Sequence, residues 1–348
     1  MKKLTIYSMS LLAALVVAGC AKETSVSSGV SAKNYFDAWI QVHYSHYPEL
    51  VPTPLGAYVI EEKEGSGDLV GDYEQSPYIL ANYVVSLLDG EISSTTYESV
   101  AKQLGTYDET AYYGPVVWDR SANALYAGVD EAISGMRVGG TKTTVIPGWL
   151  FTGLRYDTPE EYVNNVSGTN QIYQIEIAGI VDDIEKWELD SIGGYLSRHF
   201  PEITPADSLK KGFYYVRTQE PSDTTAFPAD TTIYINYVAK RLDGQAFDTN
   251  IRDTAKFYGL YSSSSTYEPV QINWSGTDED YTAITMGSSS NSSTVIDGFA
   301  YALWNMRPHE AGTSIFYSPL GYGSTGSGSK IPGFSPLRFD IYIVDKED

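Results

Sequence analysis

The chain has few side chains of the kind that attack a substrate, transfer protons or bind metals. Cys20 is its only cysteine, which excludes an internal disulfide and a thiol nucleophile elsewhere in the chain. The four histidines (His43, His46, His199 and His309) do not cluster, and a metal site needs more ligands than one pair of them. The sequence has no Gly-x-Ser-x-Gly motif and no phosphate-binding glycine loop. We therefore predict neither a metal nor a cofactor.

What remains is a set of aromatic residues and one carboxylate in the second half of the chain. Phe247-Asp248 follows the turn at 242–244, and Tyr322 lies in the glycine-rich segment 321–329. Taken singly, aromatic residues in a small domain are usually core residues. A tyrosine in a glycine-rich loop and a Phe-Asp pair just after a turn are harder to explain in that way. We therefore predict that these residues border an apolar pocket.

These residues have counterparts in the first half, because the chain repeats itself. Asn82-Tyr83-Val84 recurs 154 residues later as Asn236-Tyr237-Val238, and Met136-Arg137 recurs 170 residues later as Met306-Arg307. The single jump of 16 residues between these offsets predicts one loop insertion in the second copy. A period this long exceeds that of any solenoid repeat, so we expect two copies of one domain.

The two copies differ at the positions that could do chemistry. Opposite each other, first copy before second, stand Ser93-Ser94 and Phe247-Asp248, Val129 and Phe299, Thr152 and Tyr322, and Ile175 and Phe339. The first copy is therefore expected to lack the pocket, and any activity is predicted for the second. Spacing, dimer contact or client binding by a remodelled surface remain as roles for the first copy.

Periodicity predicts the elements that must position these residues. Strands are expected at 56–61, 78–88, 141–146, 171–181, 213–217, 231–241, 315–317 and 337–344. Helices are expected at 33–49, 123–136, 183–198 and 295–306, and polar loops at 262–265, 288–293 and 321–329. The predicted fold class is α+β, with two tandem domains that each place an antiparallel sheet on a short helix, joined by a helical connector.

The N-terminus has the pattern of a bacterial secretion signal. A basic start and a short apolar core lead to Val17-Ala18-Gly19-Cys20, which resembles the lipobox in which the cysteine becomes the lipidated first residue. We predict a signal peptide at 1–19 and a lipidated tether at 20–32. The protein is then expected in the cell envelope, anchored to a membrane through Cys20. Ala21 favours the outer membrane of a Gram-negative bacterium, on a face that the sequence leaves open.

The remaining boundaries follow from the repeat. The first domain is expected at 33–182, the connector at 183–211 and the second domain at 212–348. The formal net charge of −21 argues against a nucleic-acid partner, because phosphate binding needs clustered lysine and arginine.

The order of segments in the second copy resembles the FKBP-type peptidyl-prolyl cis-trans isomerases. The matching segments are Thr232–Tyr237, Leu242–Asp248, Val295–Phe299, Leu303–Met306, Pro319–Gly323, Ile331-Pro332 and Leu337–Asp340. The first copy resembles the family only through its alignment with the second. The resemblance implies an FKBP-like fold for both copies, with a degenerate first domain.

The resemblance also implies a role for individual residues. Tyr237, Asp248 and Tyr322 stand at catalytic positions, and the positions that bind the proline are occupied by Phe247, Val295, Ile296, Phe299, Ile331 and Phe339. The sequence departs from the family twice. Phe299 occupies the pocket floor, where tryptophan is usual, and Thr249-Asn250-Ile251 replaces the usual basic residues.

The implied function is that of an envelope-anchored isomerase that assists protein folding. Its partners would be proline-containing peptides or unfolded envelope proteins. The alternative is a non-catalytic FKBP-like lipoprotein that binds a peptide or protein client, since a fold does not fix a function.

Overall fold

The computed structural model describes residues 28–346, apart from 48, 122–123, 275–279 and 289–290. The predicted signal peptide and Cys20 lie outside the described residues. Within the described ranges, no helix is long and apolar enough to cross a membrane.

Two groups of elements follow each other along the chain. The first domain consists of α1 (Ser28–Tyr44), β1 (Tyr58–Lys63), β2 (Tyr78–Leu87), β3 (Ile92–Thr95), α2 (Glu98–Leu104), β4 (Val116–Asp119), α3 (Ala127–Ile133), β5 (Thr141–Ile146), α4 (Pro159–Asn165) and β6 (Gln171–Val181). The connector helix is α5 (Ile184–His199). The second domain consists of β7 (Phe213–Gln219), β8 (Thr231–Arg241), β9 (Ala246–Thr249), α6 (Arg252–Phe257), β10 (Val270–Trp274), β11 (Ile284–Ser288), β12 (Asn291–Thr294), α7 (Asp297–Asn305), β13 (Ala311–Phe316) and β14 (Leu337–Val344).

The two domains share one strand order. The first sheet runs β1-β5-β6-β2-β3, and the second contains the equivalent path β7-β13-β14-β8-β9. Each sheet has one further strand at the equivalent place: β4 pairs with β2, and β10 pairs with β8. All these pairs are antiparallel. The predicted α+β class, with antiparallel sheets on short helices, is confirmed.

The extra residues of the second copy do not form a loop as predicted. They contribute β11 and β12, which pair with each other and extend the sheet beyond β10. The loop predicted at 288–293 is therefore wrong, because 291–294 is strand. All four residues of β12 are exposed, and at a sheet edge serine and asparagine can face water at little cost. That exposure removed the apolar alternation by which a strand is recognised.

Several helices differ from their predicted extents. Residues 28–32, predicted as tether, belong to α1. The helices predicted at 123–136 and 295–306 are shorter, at α3 and α7. Helices α2, α4 and α6 were not predicted, because six or seven residues make fewer than two turns and show no clear period.

The register of the last strand corrects one pairing between the copies. Val85 of β2 lies opposite Tyr173, and Ala239 of β8 lies opposite Phe339. Tyr173, not Ile175, therefore occupies the place of Phe339. The prediction failed because the connections before β6 and β14 differ in length, and the sequence did not state by how many residues. Tyr173 thus keeps an aromatic ring at this point of the first domain.

A glycine brings the helix of each domain close to its sheet. A Cβ on Gly298 would lie 2.4 Å from the ring of Phe316, and one on Gly128 would lie 2.5 Å from Ile146. Since no side chain separates helix from strand there, the residue after each glycine lies directly over the sheet. In the second domain that residue is Phe299, which is 3% exposed.

Candidate active site

Four aromatic side chains form a continuous floor on the inner face of the second sheet. Phe299 from α7 stacks on Phe339 from β14, with ring centroids 4.9 Å apart. Tyr237 lies 5.7 Å from Phe299, and Phe247 lies 6.0 Å from Phe339. All four are buried within the core of this domain. The structure therefore brings together four residues that the sequence placed in the pocket.

Strand β9, which carries Phe247 and Asp248, is held against β8 by two buried polar side chains. Asn250 Oδ1 accepts a hydrogen bond from the Tyr237 backbone N–H at 2.8 Å, and its Nδ2 donates to three further oxygens. Thr249 Oγ1 donates to the Tyr237 backbone oxygen at 2.6 Å. These residues, noted in the sequence only as a departure from the family, thus fix the Phe-Asp pair beside Tyr237. The sequence signal that could have indicated this role is the Thr-Asn pair itself, because such side chains readily bond to nearby backbone groups.

Asp248 lies at the edge of the floor and interacts with two tyrosines. The Tyr237 hydroxyl donates to Asp248 Oδ2 at 2.7 Å. Burial, and then the Asp248 charge, raise the pKa of Tyr237 far above its ordinary value, so this hydroxyl stays protonated. Burial also raises the pKa of Tyr322, with a smaller contribution from Asp248. The site therefore presents one exposed carboxylate between two neutral hydroxyl groups.

The rim of the floor consists of residues from two loops, three half-buried and one buried. Tyr322 lies 6.4 Å from Phe247, edge to face. Val295 and Ile296 pack on the same core just before α7, and Ile331, 3% exposed, comes from the loop before β14. In the part of the chain that the structure describes, the Ile296 backbone N–H has no hydrogen-bond acceptor.

The loop that carries Tyr322 is held from behind by the connector. The Ser318 backbone N–H and hydroxyl both donate to the Glu188 carboxylate of α5, at 2.6 and 2.7 Å. Glu188 is 2% exposed. Ser318 begins the 3-10 turn Ser318–Leu320, and its carbonyl accepts hydrogen bonds from the backbone N–H groups of 321 and 323. The connector thus contributes to the position of Tyr322.

The first domain contacts the far side of the same loop. The Tyr112 backbone N–H donates to the Ser329 oxygen at 2.8 Å, and the Tyr78 ring lies edge to face with Phe334 at 5.6 Å. The Arg241 guanidinium lies 5.3 Å from the centre of the Tyr112 ring. Residues 318–334 are therefore supported by the connector on one side and the first domain on the other.

The floor residues line none of the described cavities, and each of the four rings is at most 8% exposed. The described cavities of about 360–410 Å³ are lined by residues of the first domain, in one case together with 328–332 of the second. Among the described residues, no group of three potential metal-binding side chains comes together. What the arrangement offers is an aromatic surface, two hydroxyl groups, one carboxylate and a free backbone N–H.

The residues of this site lie in a segment that matches a known protein family. The family model of FKBP-type peptidyl-prolyl cis-trans isomerase matches residues 224–344. The C-terminal region of the chain is thus an FKBP-type domain.

Two curated relatives support that assignment. The short-type peptidyl-prolyl cis-trans isomerase of Methanocaldococcus jannaschii is 36% identical over 85 residues, which cover 24% of this chain and 50% of the relative. The macrophage infectivity potentiator of Trypanosoma cruzi is 25% identical over 143 residues, which cover 41% and 57%. The chain therefore spans about half the length of the curated relatives it matches.

Solved FKBP structures resemble the chain at low sequence identity. The three FKBP domains of wheat FKBP73 align at 15% identity and a TM-score of 0.28, covering 83% of this chain and 94% of that one. A peptidyl-prolyl cis-trans isomerase from Pseudomonas syringae pv. tomato aligns at 18% identity and a TM-score of 0.31, covering 48% and 99%.

Proposed function

We propose that the protein is an envelope-anchored peptidyl-prolyl cis-trans isomerase that assists the folding of other proteins, with its active site in the second domain. The observation that carries this proposal is the Tyr237–Asp248 pair at the edge of the Phe247–Phe299–Phe339 floor. The proposed substrates are proline-containing segments of unfolded envelope proteins.

The chemistry requires no nucleophile. An X–Pro bond rotates over a barrier of about 18–20 kcal/mol, because rotation breaks the resonance of the amide. The twisted amide has less charge separation than the planar one, so an apolar surface disfavours the planar ground state more. That difference in binding lowers the barrier. The aromatic floor supplies this surface without any group that must be activated.

The polar groups at the rim fix the geometry of the bound peptide. The proline ring would lie on Phe299, with Phe247 and Phe339 beside it. The Ile296 N–H and the Tyr322 hydroxyl would bind substrate carbonyls on either side of the rotating bond. Asp248 is held by Tyr237 and stands beside the bound carbonyl, where it favours loss of the carbonyl's partial negative charge as the amide twists.

Replacement of Tyr322 by phenylalanine tests the rim. The substitution keeps the ring and removes one hydrogen bond, whose net value is about 0.5–1.5 kcal/mol, so kcat/KM should fall about 2- to 10-fold. The measurement is a protease-coupled assay of the mature chain with a proline tetrapeptide. Tyr342→Phe is the matched control, because this tyrosine of β14 is 41% exposed, and it should retain wild-type activity.

One combination of results would contradict the isomerase proposal. If the mature wild-type chain shows no rate above background, and Tyr322→Phe is indistinguishable from it, the site does not catalyse isomerisation. Peptide binding without turnover would then favour the non-catalytic FKBP-like lipoprotein.

Anchoring through Cys20 is a separate proposal with its own test. In cells that process lipoproteins, the wild-type protein should enter the detergent phase in a Triton X-114 partition, and Cys20→Ser should remain in the aqueous phase. The reason is that a diacylated cysteine adds acyl chains that bind a membrane stably. Ala21→Ser is the control and should partition like wild type. Equal partition of the Cys20→Ser protein would contradict the lipid anchor.

A further inference from the structure

A cavity in the first domain lies where the floor lies in the second. Tyr83 and Tyr173 occupy the strand positions of Tyr237 and Phe339, as the pairing of β2 with β6 and of β8 with β14 shows. Both tyrosines line an open cavity of about 390 Å³. In the second domain the equivalent strand positions carry Tyr237 and Phe339, two of the four rings of the floor.

Three small side chains open this cavity. Ser93, Ser94 and Val129 line it. Ser94 lies opposite Val85 in the strand pairing, as Asp248 lies opposite Ala239. Serine at 93 and valine at 129 remove two of the four floor rings, and serine at 94 removes the carboxylate. The cavity therefore lacks the carboxylate and two of the rings assigned above to catalysis, although Tyr83 keeps a hydroxyl at the position of Tyr237.

In the first domain, aromatic residues lie along the walls of the cavity. Trp118 of β4 pairs with Ile79 of β2. In the second domain the equivalent position of β10 is the fully buried Ile272, which pairs with Ile233 of β8. The Trp118 ring stacks on Tyr83 at 5.6 Å. Tyr126 at the cavity edge is 48% exposed. An indole now stands where the second domain has an aliphatic core residue.

The lining determines the charge of what can bind. It contains four apolar residues, four large aromatic residues, two serines and Gln171, with no charged side chain. In a chain with a formal net charge of −21, an uncharged concave surface favours an uncharged ligand. Burial raises the pKa of Tyr173 to about 12, so its hydroxyl is a neutral hydrogen-bonding group at ordinary pH.

We propose that this first-domain cavity binds a bulky apolar side chain, aromatic or branched aliphatic, of an extended unfolded polypeptide, without isomerising it. The aromatic walls of the cavity can contact a planar ring on its faces. The choice of a polypeptide as ligand rests on the proposed function of the second domain. The first domain would then hold a client chain near the isomerase site and raise its local concentration there.

The test uses the full mature chain and four capped Gly/Ser peptides with one central residue, which is Phe, Leu, Pro or Ala. Calorimetry should detect binding of the Phe and Leu peptides and much weaker binding of the Ala peptide. Ser93→Phe, which introduces the residue of the second domain, should weaken the Phe peptide at least about tenfold. Tyr73→Ala removes a 48% exposed tyrosine that does not line the cavity and should bind like wild type.

Isomerase activity separates this proposal from the previous one. Ser93→Phe should keep the wild-type rate on a proline tetrapeptide, whereas Phe247→Ser should lose rate but keep binding of the Phe peptide. Equal binding of the Phe and Ala peptides would overturn the proposal. So would a Ser93→Phe protein that is folded by circular dichroism and binds the Phe peptide as tightly as wild type.

Discussion

Replacement of Phe247 by serine, the residue of the first domain, is expected to lower kcat/KM on a proline peptide by about 10- to 100-fold. The ring lies between Phe339 and Tyr322 and forms one side of the aromatic floor. Its removal takes away apolar contact with the proline ring. It also leaves a gap that water can fill, which stabilises the planar amide relative to the twisted one.

The control is another phenylalanine of the same domain. Phe257 in α6 is 80% exposed, and Phe257→Ser should leave kcat/KM within twofold of wild type. Because Phe247 is itself 8% exposed, its loss also weakens the core. The rate must therefore be compared at a temperature where near-UV circular dichroism shows both variants folded. A folded Phe247→Ser protein with the wild-type rate would remove this residue from the site.

The floor residues were predicted through the resemblance, which rests on short segments such as Phe247-Asp248 and Val295–Phe299 in order along the chain. Tyr237 and Phe339 lie on the long strands β8 and β14, which alternation predicts. Strands predicted at 141–146, 171–181, 231–241 and 337–344 are confirmed residue for residue. Long central strands carry a strong period because one face is buried.

The parts that failed depend on contacts between distant residues. The equivalence of Tyr173 with Phe339 depends on how many residues lie before β6, which no local pattern states. The hairpin of β11 and β12 carries exposed polar residues, so its alternation is absent. The contact between Tyr112 and Ser329 joins residues far apart in sequence and was likewise not predicted.

The buried carboxylate of Glu188 gives the second large effect. Glu188→Ala should lower the free energy of unfolding of the second domain by about 2–4 kcal/mol, because the Ser318 N–H and hydroxyl lose the acceptor that they have among the described residues. Urea unfolding followed by tryptophan fluorescence measures it. Glu185→Ala is the control on the same helix. Its ion pair with Lys211 has side chains 47% and 61% exposed, so the change should stay below about 1 kcal/mol.

The pH dependence of the Glu188 contribution has a definite sign. Burial raises the pKa of this carboxyl above its ordinary value of 4.5, although the hydrogen bonds from Ser318 lower it in part. The native state therefore holds the proton more tightly than the unfolded chain. The associated stability is fully present below pH 4.5 and is lost as the pH rises through the raised native pKa.

Glu188→Gln isolates that contribution, because glutamine keeps an acceptor for Ser318 and cannot ionise in this range. As the pH rises from 4.5, the unfolding free energy of wild type should fall relative to that of Glu188→Gln. Burial also raises the pKa of the half-buried Glu131, which is present in both proteins and cancels in the difference. A parallel pH dependence of the two proteins would show that Glu188 has the same pKa in the folded and unfolded states.

The same variants test whether the connector positions the loop that carries Tyr322. Since Ser318 begins the turn before Tyr322, a loss of kcat/KM in Glu188→Ala but not in Glu185→Ala would show that it does.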